Sequence, residues 1–176
     1  MRRKKNFKMK IELFDKKFKK HKLKYFFQCM LASLTILAVL YFLNILEEAA
    51  IITALGASSF IVFALPHSYS SNLKRLIGGY TVGLLIGFIF FLISNSRIFT
   101  SFLDSYSVLI ISAAFAVGIS IFIMTITNTE HAPAAGIALG LVINNWDYST
   151  IFFILLAVLW LITIKTAFKK YLISLA

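Results

Sequence analysis

Residues 76–94 read Leu76-Ile77-Gly78-Gly79-Tyr80-Thr81-Val82-Gly83-Leu84-Leu85-Ile86-Gly87-Phe88-Ile89-Phe90-Phe91-Leu92-Ile93-Ser94, an uninterrupted run without one charged side chain. As an α-helix such a run spans about 28 Å at ~1.5 Å per residue, close to the ~30 Å of a bilayer's hydrocarbon. The rest of the chain agrees. Its 176 residues are 60% hydrophobic and 14% charged, with a mean hydropathy of +0.87. A soluble domain of this size has too little interior to hide that apolar surface, and carries about 25% charged residues. The chain therefore reads as one all-α, polytopic membrane helical bundle, with the lipid bilayer as its first partner.

Outward from this run, further apolar segments cover about 25–46, 49–65, 107–126, 134–144 and 148–168, giving about six in all. Polar punctuation separates them: Glu47-Glu48, the stretch from Pro66 to Arg75, the loop 95–106, and Thr127-Asn128-Thr129-Glu130-His131-Ala132-Pro133. The segments at 49–65 and 134–144 are short. Residues 1–24 form a basic N-terminal segment, 25–170 the transmembrane domain and 171–176 a C-terminal tail.

The net charge of +11 is concentrated: twelve of the eighteen Lys and Arg precede residue 25. That distribution describes a tail, not a nucleic-acid surface. Phe7, Ile11, Phe14 and Phe18 are spaced to share one helical face among lysines. Such a helix lies on an anionic membrane surface; the plainer alternative is a solvated basic tail that only sets orientation. The apolar run that follows is too long for a cleaved signal peptide. Basic residues stay on the cytoplasmic side of a membrane. Six crossings then put both termini and the loop holding Lys74 and Arg75 in the cytoplasm, and Glu47, Glu48 and Asp147 outside, in a multi-pass plasma-membrane protein. A four-crossing alternative, in which the two short segments dip in and return, also keeps both termini inside but moves Lys74 and Arg75 outside.

The short segments are the middle members of two three-segment sets. Ala54-Leu55-Gly56 in the first recurs as Ala138-Leu139-Gly140 in the second, 84 residues later. An odd number of crossings per set would make this 3+3 repeat inverted, an arrangement that places binding sites near the midplane of transporters. Chance matches among Ala, Leu and Gly are also frequent in membrane helices. Gly79, Gly83 and Gly87, with Gly78 beside them, form a strip along one face, and Gly136 and Gly140 repeat the spacing. These are helix-packing positions. Their partner is another helix of the chain or of a second subunit, so a homo-oligomer is one of the outcomes they allow.

The polar residues flanking two helix starts are the candidate substrate-binding set. Thr129 and His131 precede the segment at Ala134; Ser68, Asn72, Lys74 and Arg75 precede the one at Leu76. Unpaired backbone N–H groups at a helix start attract anions. Lysine, arginine and hydroxyl side chains there suit a small inorganic anion. The plain alternatives are orientation-setting charges for Lys74 and Arg75 and a backbone-bonded loop histidine for His131. Cys29 is the only cysteine, so it forms no internal disulfide and packs as a small hydrophobe. Glu130-His131 lacks the second histidine of a zinc-protease helix, and no phosphate-binding Gly-rich loop or Ser/His/Asp set is recognisable. The expectation is therefore a non-enzyme with no cofactor, no metal and no nucleic-acid partner.

Leu55-Gly56-Ala57-Ser58-Ser59, then Pro66-His67-Ser68, then Ile77-Gly78-Gly79, and finally His131-Ala132-Pro133 resemble the HPP family of membrane proteins. That family reads Gly-Ala-Ser, Pro-x-Ser, Gln-Pro-Arg-Asn, Gly-Gly-His and the His-Pro-Pro of its name. The resemblance covers roughly residues 25–170. Asn72-Leu73-Lys74-Arg75 replaces the family's Gln-Pro-Arg-Asn, Tyr80 replaces its Gly-Gly-His histidine, and Ala132 replaces the first proline of the name motif. Plastid members are associated with nitrite transport. The resemblance thus implies a secondary transporter or channel for a small inorganic anion, nitrite first. The competing expectation is a non-transporting structural or sensory module that binds lipid or a partner through its basic N-terminus.

Overall fold

The computed structural model describes residues 16–43, 49–144 and 146–175. Seven helices account for them, with no strand among the described residues: α1 (Lys16–Leu43), α2 (Ala49–Ala64), α3 (Leu73–Ser94), α4 (Arg97–Thr100), α5 (Ser105–Ile126), α6 (Ala132–Ile143) and α7 (Tyr148–Phe168). Four of them contain stretches long and apolar enough to cross a membrane, at Lys20–Val39, Leu73–Ser94, Ser105–Ile126 and Tyr148–Phe168; α2 and α6 are shorter.

Capping explains the boundaries. Asn72, Asp104 and Asp147 each accept a backbone N–H in the first turn of α3, α5 and α7. The expected start of the third segment near residue 76 moves back accordingly. Because Asn72 caps, Lys74 and Arg75 lie in the first helical turn and not in a loop. Asn128, at φ 56°, ends α5: its N–H bonds the Thr125 carbonyl and the Thr129 N–H bonds that of Met124. Pro133 sits in the first turn of α6, where its missing N–H costs nothing. The loop expected at 95–106 contains α4, a single turn started by Ser96 and too short to show a periodicity. The amphipathic stripe at 7–20 and the Glu47-Glu48 turn fall largely outside the described residues; α1 runs from Lys16 through a break at His21.

The bundle is apolar outside as well as inside. Leu85, Ile89 and Leu92 of α3, Phe115 and Phe122 of α5, and Phe152 and Leu159 of α7 are all exposed. Water does not tolerate that coat; lipid does. Cys29, in the first apolar run, is part of this outer surface.

The two short helices lie at the centre, antiparallel to each other. Ser58 of α2 meets His131 at the start of α6, and Ile51 of α2 meets Gly140 near its end. A Cβ at Gly140 would fall 2.8 Å from the Ile51 side chain, so the close approach requires glycine there. The strip on α3 is covered by α6 of the same chain: a Cβ at Gly79 would lie 2.6 Å from His131 Cβ, and one at Gly87 would lie 2.9 Å from Ala138 Cα. Gly83 has the Ala134 carbonyl directly against it, and Gly78 the Thr129 methyl.

Each of the six long or short helices runs between the same two ends of the bundle. At one end Gln28, midway along α1, donates to Phe63 O and Ile173 O, Leu175 N donates to Ala64 O, and Lys165 near the end of α7 donates to Ser71 O. The loop 66–72 thus sits with residues 173–175 and with the Gln28 level of α1. At the other end Trp146 packs on Phe88 and Phe91 and donates to Leu141 O. In the four-crossing alternative the loop 66–72 would lie opposite the termini. Here α2 separates Ala50, near Gly140, from Phe63, near Gln28, which carries the chain from one end to the other.

Candidate functional site

A buried polar knot joins the centre of the bundle. Ser58 Oγ lies 2.6 Å from Tyr80 Oη and 2.9 Å from His131 Nε2, and His131 Nδ1 lies 3.1 Å from Ser70 O. Ser58 and His131 are fully buried and Tyr80 nearly so. The Ser70 carbonyl can only accept, which puts a proton on Nδ1 and leaves Nε2 of the neutral ring to accept from Ser58. Ser58 is then free to accept from Tyr80. The chain of donation runs Tyr80, Ser58, His131, Ser70, with every proton used. Tyr80 lies seven residues into α3, so the knot sits about 10 Å in from the end of the bundle that gathers the termini.

A second cluster caps that end. Arg75, 7% exposed, donates through Nε to Glu130 Oε2 at 3.3 Å and through Nη2 to Asn128 Oδ1 at 2.5 Å. Its guanidinium lies 3.0 Å from the centre of the Tyr69 ring, and Tyr69 also donates to Asn128. The Glu130 carboxyl is held below its usual range, first by its own backbone amide and then by Arg75. This clasp ties the α2–α3 loop to the α5–α6 loop.

The six candidate residues therefore divide. His131 enters the knot, and Thr129, against Gly78, shares its hydroxyl with Thr127. Arg75 closes the clasp. Asn72 caps α3 through its Oδ1, and Lys74 is exposed. Ser68 and Asn72 line a cavity of about 320 Å³ on the other side of the loop 66–72, next to the end of α7. Neither Ser58 nor Tyr80 was picked out by helix-start chemistry, although Ser58 belongs to the Gly-Ala-Ser stretch and Tyr80 to the Gly-Gly position. Lys165, which also lines the cavity, gave no signal beyond a charge near the end of an apolar run. Among the described residues no cluster of His, Cys, Asp and Glu could hold a metal ion.

A lipid-facing helical bundle with a satisfied polar knot between two short central helices defines a multi-pass integral membrane protein. Residues 18–173 match the family model described as HPP, transmembrane region, and the chain belongs to the HPP family. No curated protein and no solved structure matches it. Three of the stretches compared with the family, Gly-Ala-Ser, Gly-Gly-Tyr, where Tyr80 stands in place of the family's histidine, and His-Ala-Pro, are far apart in sequence. They meet in the knot, through Ser58, Tyr80 and His131.

Proposed function

We propose that this protein is a secondary transporter or channel for a small inorganic anion, with nitrite as the first candidate, in the plasma membrane with both termini cytoplasmic. The observation that carries the proposal is the antiparallel pair α2 and α6. It brings the three family stretches to one buried polar point between two oppositely running three-helix sets. Short central helices at the interface of inverted repeats form the substrate sites of many transporters. The neutral knot supplies a hydrogen-bonding surface inside an apolar bundle, and its tyrosine and serine hydroxyls can reorient towards a passing ion. Lys74, exposed beside the start of α3, raises the local anion concentration. Arg75, already paired with Glu130, closes the termini-side entrance instead of binding the ion, and Thr129 shapes the wall beneath α3. Ser68 and Asn72 serve the cavity on the termini side.

Nitrite flux into liposomes containing the purified protein tests this, with chloride, nitrate and formate alongside. Saturable nitrite uptake is expected above empty liposomes, reduced about tenfold or more by His131→Ala and by a smaller factor in Lys74→Ala. No uptake of any of the four by folded protein would overturn the transport reading. It would favour a structural or sensory module acting through its basic N-terminus.

A further inference from the structure

The cavity beside the end of α7 has the chemistry of an anion site, and we infer that it binds a small singly charged oxyanion group through Lys165, Lys169 and Ser68. Its wall includes Pro66, Ser68, Asn72, Lys165, Thr166 and Lys169, and its volume of about 320 Å³ holds such a group with part of its hydration shell. The Ser68 Oγ is buried and has no partner, and a buried hydroxyl without one is costly. The hydroxyls nearest in the wall make no bond with it. The Ser71 hydroxyl is committed to Pro66 O and Ser68 O, and that of Thr166 to Ile162 O.

Charge points the same way. Lys165 is half-buried and its ammonium donates to the Ser71 carbonyl, which fixes its position and leaves further N–H donors. Among the described residues neither Lys165 nor Lys169 has a carboxylate partner. Glu130, the acidic residue at this end of the described bundle, is taken by Arg75. Asn72 spends its Oδ1 on the Lys74 N–H and keeps its amide donors. Two lysines, a serine and an asparagine therefore line one space that has no carboxylate in its wall. A free oxyanion such as nitrite and the phosphodiester of an anionic lipid share the chemistry this site recognises. As the termini-side station of a transport path it rests on the proposal above; as a binding site it rests on the cavity alone.

The test is titration calorimetry of sodium nitrite into the full chain in phosphatidylcholine nanodiscs. Native mass spectrometry of phosphatidylglycerol retained from mixed discs accompanies it. Nitrite binding weakened about tenfold or more by Lys165→Gln and by Ser68→Ala, but less than about twofold by Lys170→Gln, supports the site and names a free anion. Lys170 carries the same charge outside the cavity. Phosphatidylglycerol retained by the wild type and lost in Lys165→Gln, without nitrite binding, supports the site with a lipid phosphate as occupant. Lys169→Gln, at an exposed position, repeats the test if Lys165→Gln does not elute as folded protein. Binding of both ligands unaffected by Lys165→Gln, Lys169→Gln and Ser68→Ala overturns the inference, as does binding of neither. Flux measured on the same preparations separates the two proposals. Binding without flux refutes transport and leaves the site; flux without cavity-dependent binding refutes the site and leaves transport.

Discussion

Ser58 holds two long-range partners with one hydroxyl, and the direction of its hydrogen bonds makes unequal demands on its neighbours. Ser58→Ala leaves the Tyr80 O–H without an acceptor and His131 Nε2 without a donor, both in a dry interior. Each unsatisfied group costs about 1–3 kcal/mol. Tyr80→Phe strands no donor, because Ser58 still gives its proton to His131, and should cost only about 1 kcal/mol. Thermal melting of the detergent-solubilised variants should therefore rank Ser58→Ala well below Tyr80→Phe, and the opposite order would refute the assigned direction.

Among the elements, the α3 glycine strip and α2 carry opposite predictions for one substitution. Gly83→Ala drives a methyl into the Ala134 carbonyl, whereas a methyl at Gly56 meets nothing within 4 Å. The first should destabilise by about 1–3 kcal/mol, read as a melting temperature lower by several degrees. The second should be neutral or stabilise by up to about 1 kcal/mol through helix propensity. Equal effects would mean that α3 and α6 are not packed as described. The helices themselves were largely legible, because an apolar run interrupted by Glu47-Glu48, Pro66 or Asn144 leaves few choices of boundary. What covers the glycine strip was not. Small residues at four-residue spacing say that a helix comes close without saying which one, and the answer lies about 50 residues away in Ala134 and Ala138. The first turn of α3 was also hidden, since Lys74 and Arg75 look like loop residues until Asn72 is recognised as their cap. The polar site was legible in part for the same reason: His131 announces itself by its proline-flanked helix start. Its partner Ser58 is 73 residues distant, and Lys165 meets the loop 66–72 across 94.

On the scale of the whole molecule, the pattern of helix contacts repeats itself. α1 packs on α2 as α5 packs on α6; α2 meets α7 as α6 meets α3; α1 meets α7 as α5 meets α3. The remaining pairs, α2 with α6 and α3 with α7, exchange into themselves. That is the contact pattern of two oppositely running three-helix sets, but the recurrent Ala-Leu-Gly takes no equivalent part in it: Gly140 packs against Ile51, whereas Gly56 has open space around it. The chemistry does not follow the symmetry. The knot, the clasp and the lysine-lined cavity all gather at the end that holds the termini, so the two sides of the membrane would see different surfaces. The transport proposal depends on α2 and α6 carrying the chain fully from one side to the other.

Sided labelling with a membrane-impermeant maleimide measures that directly. In a Cys29→Ala background, single cysteines are placed at the exposed positions Lys22 at the N-terminal end of the first span, His67 in the loop after α2, and Phe102, which is 83% exposed after α4. In inverted vesicles Lys22→Cys and His67→Cys should label together while Phe102→Cys is protected, and in intact cells the pattern should reverse. Labelling of His67→Cys from the side opposite Lys22→Cys would mean that α2 turns back within the bilayer, and would contradict the inverted three-helix sets and the site built between them.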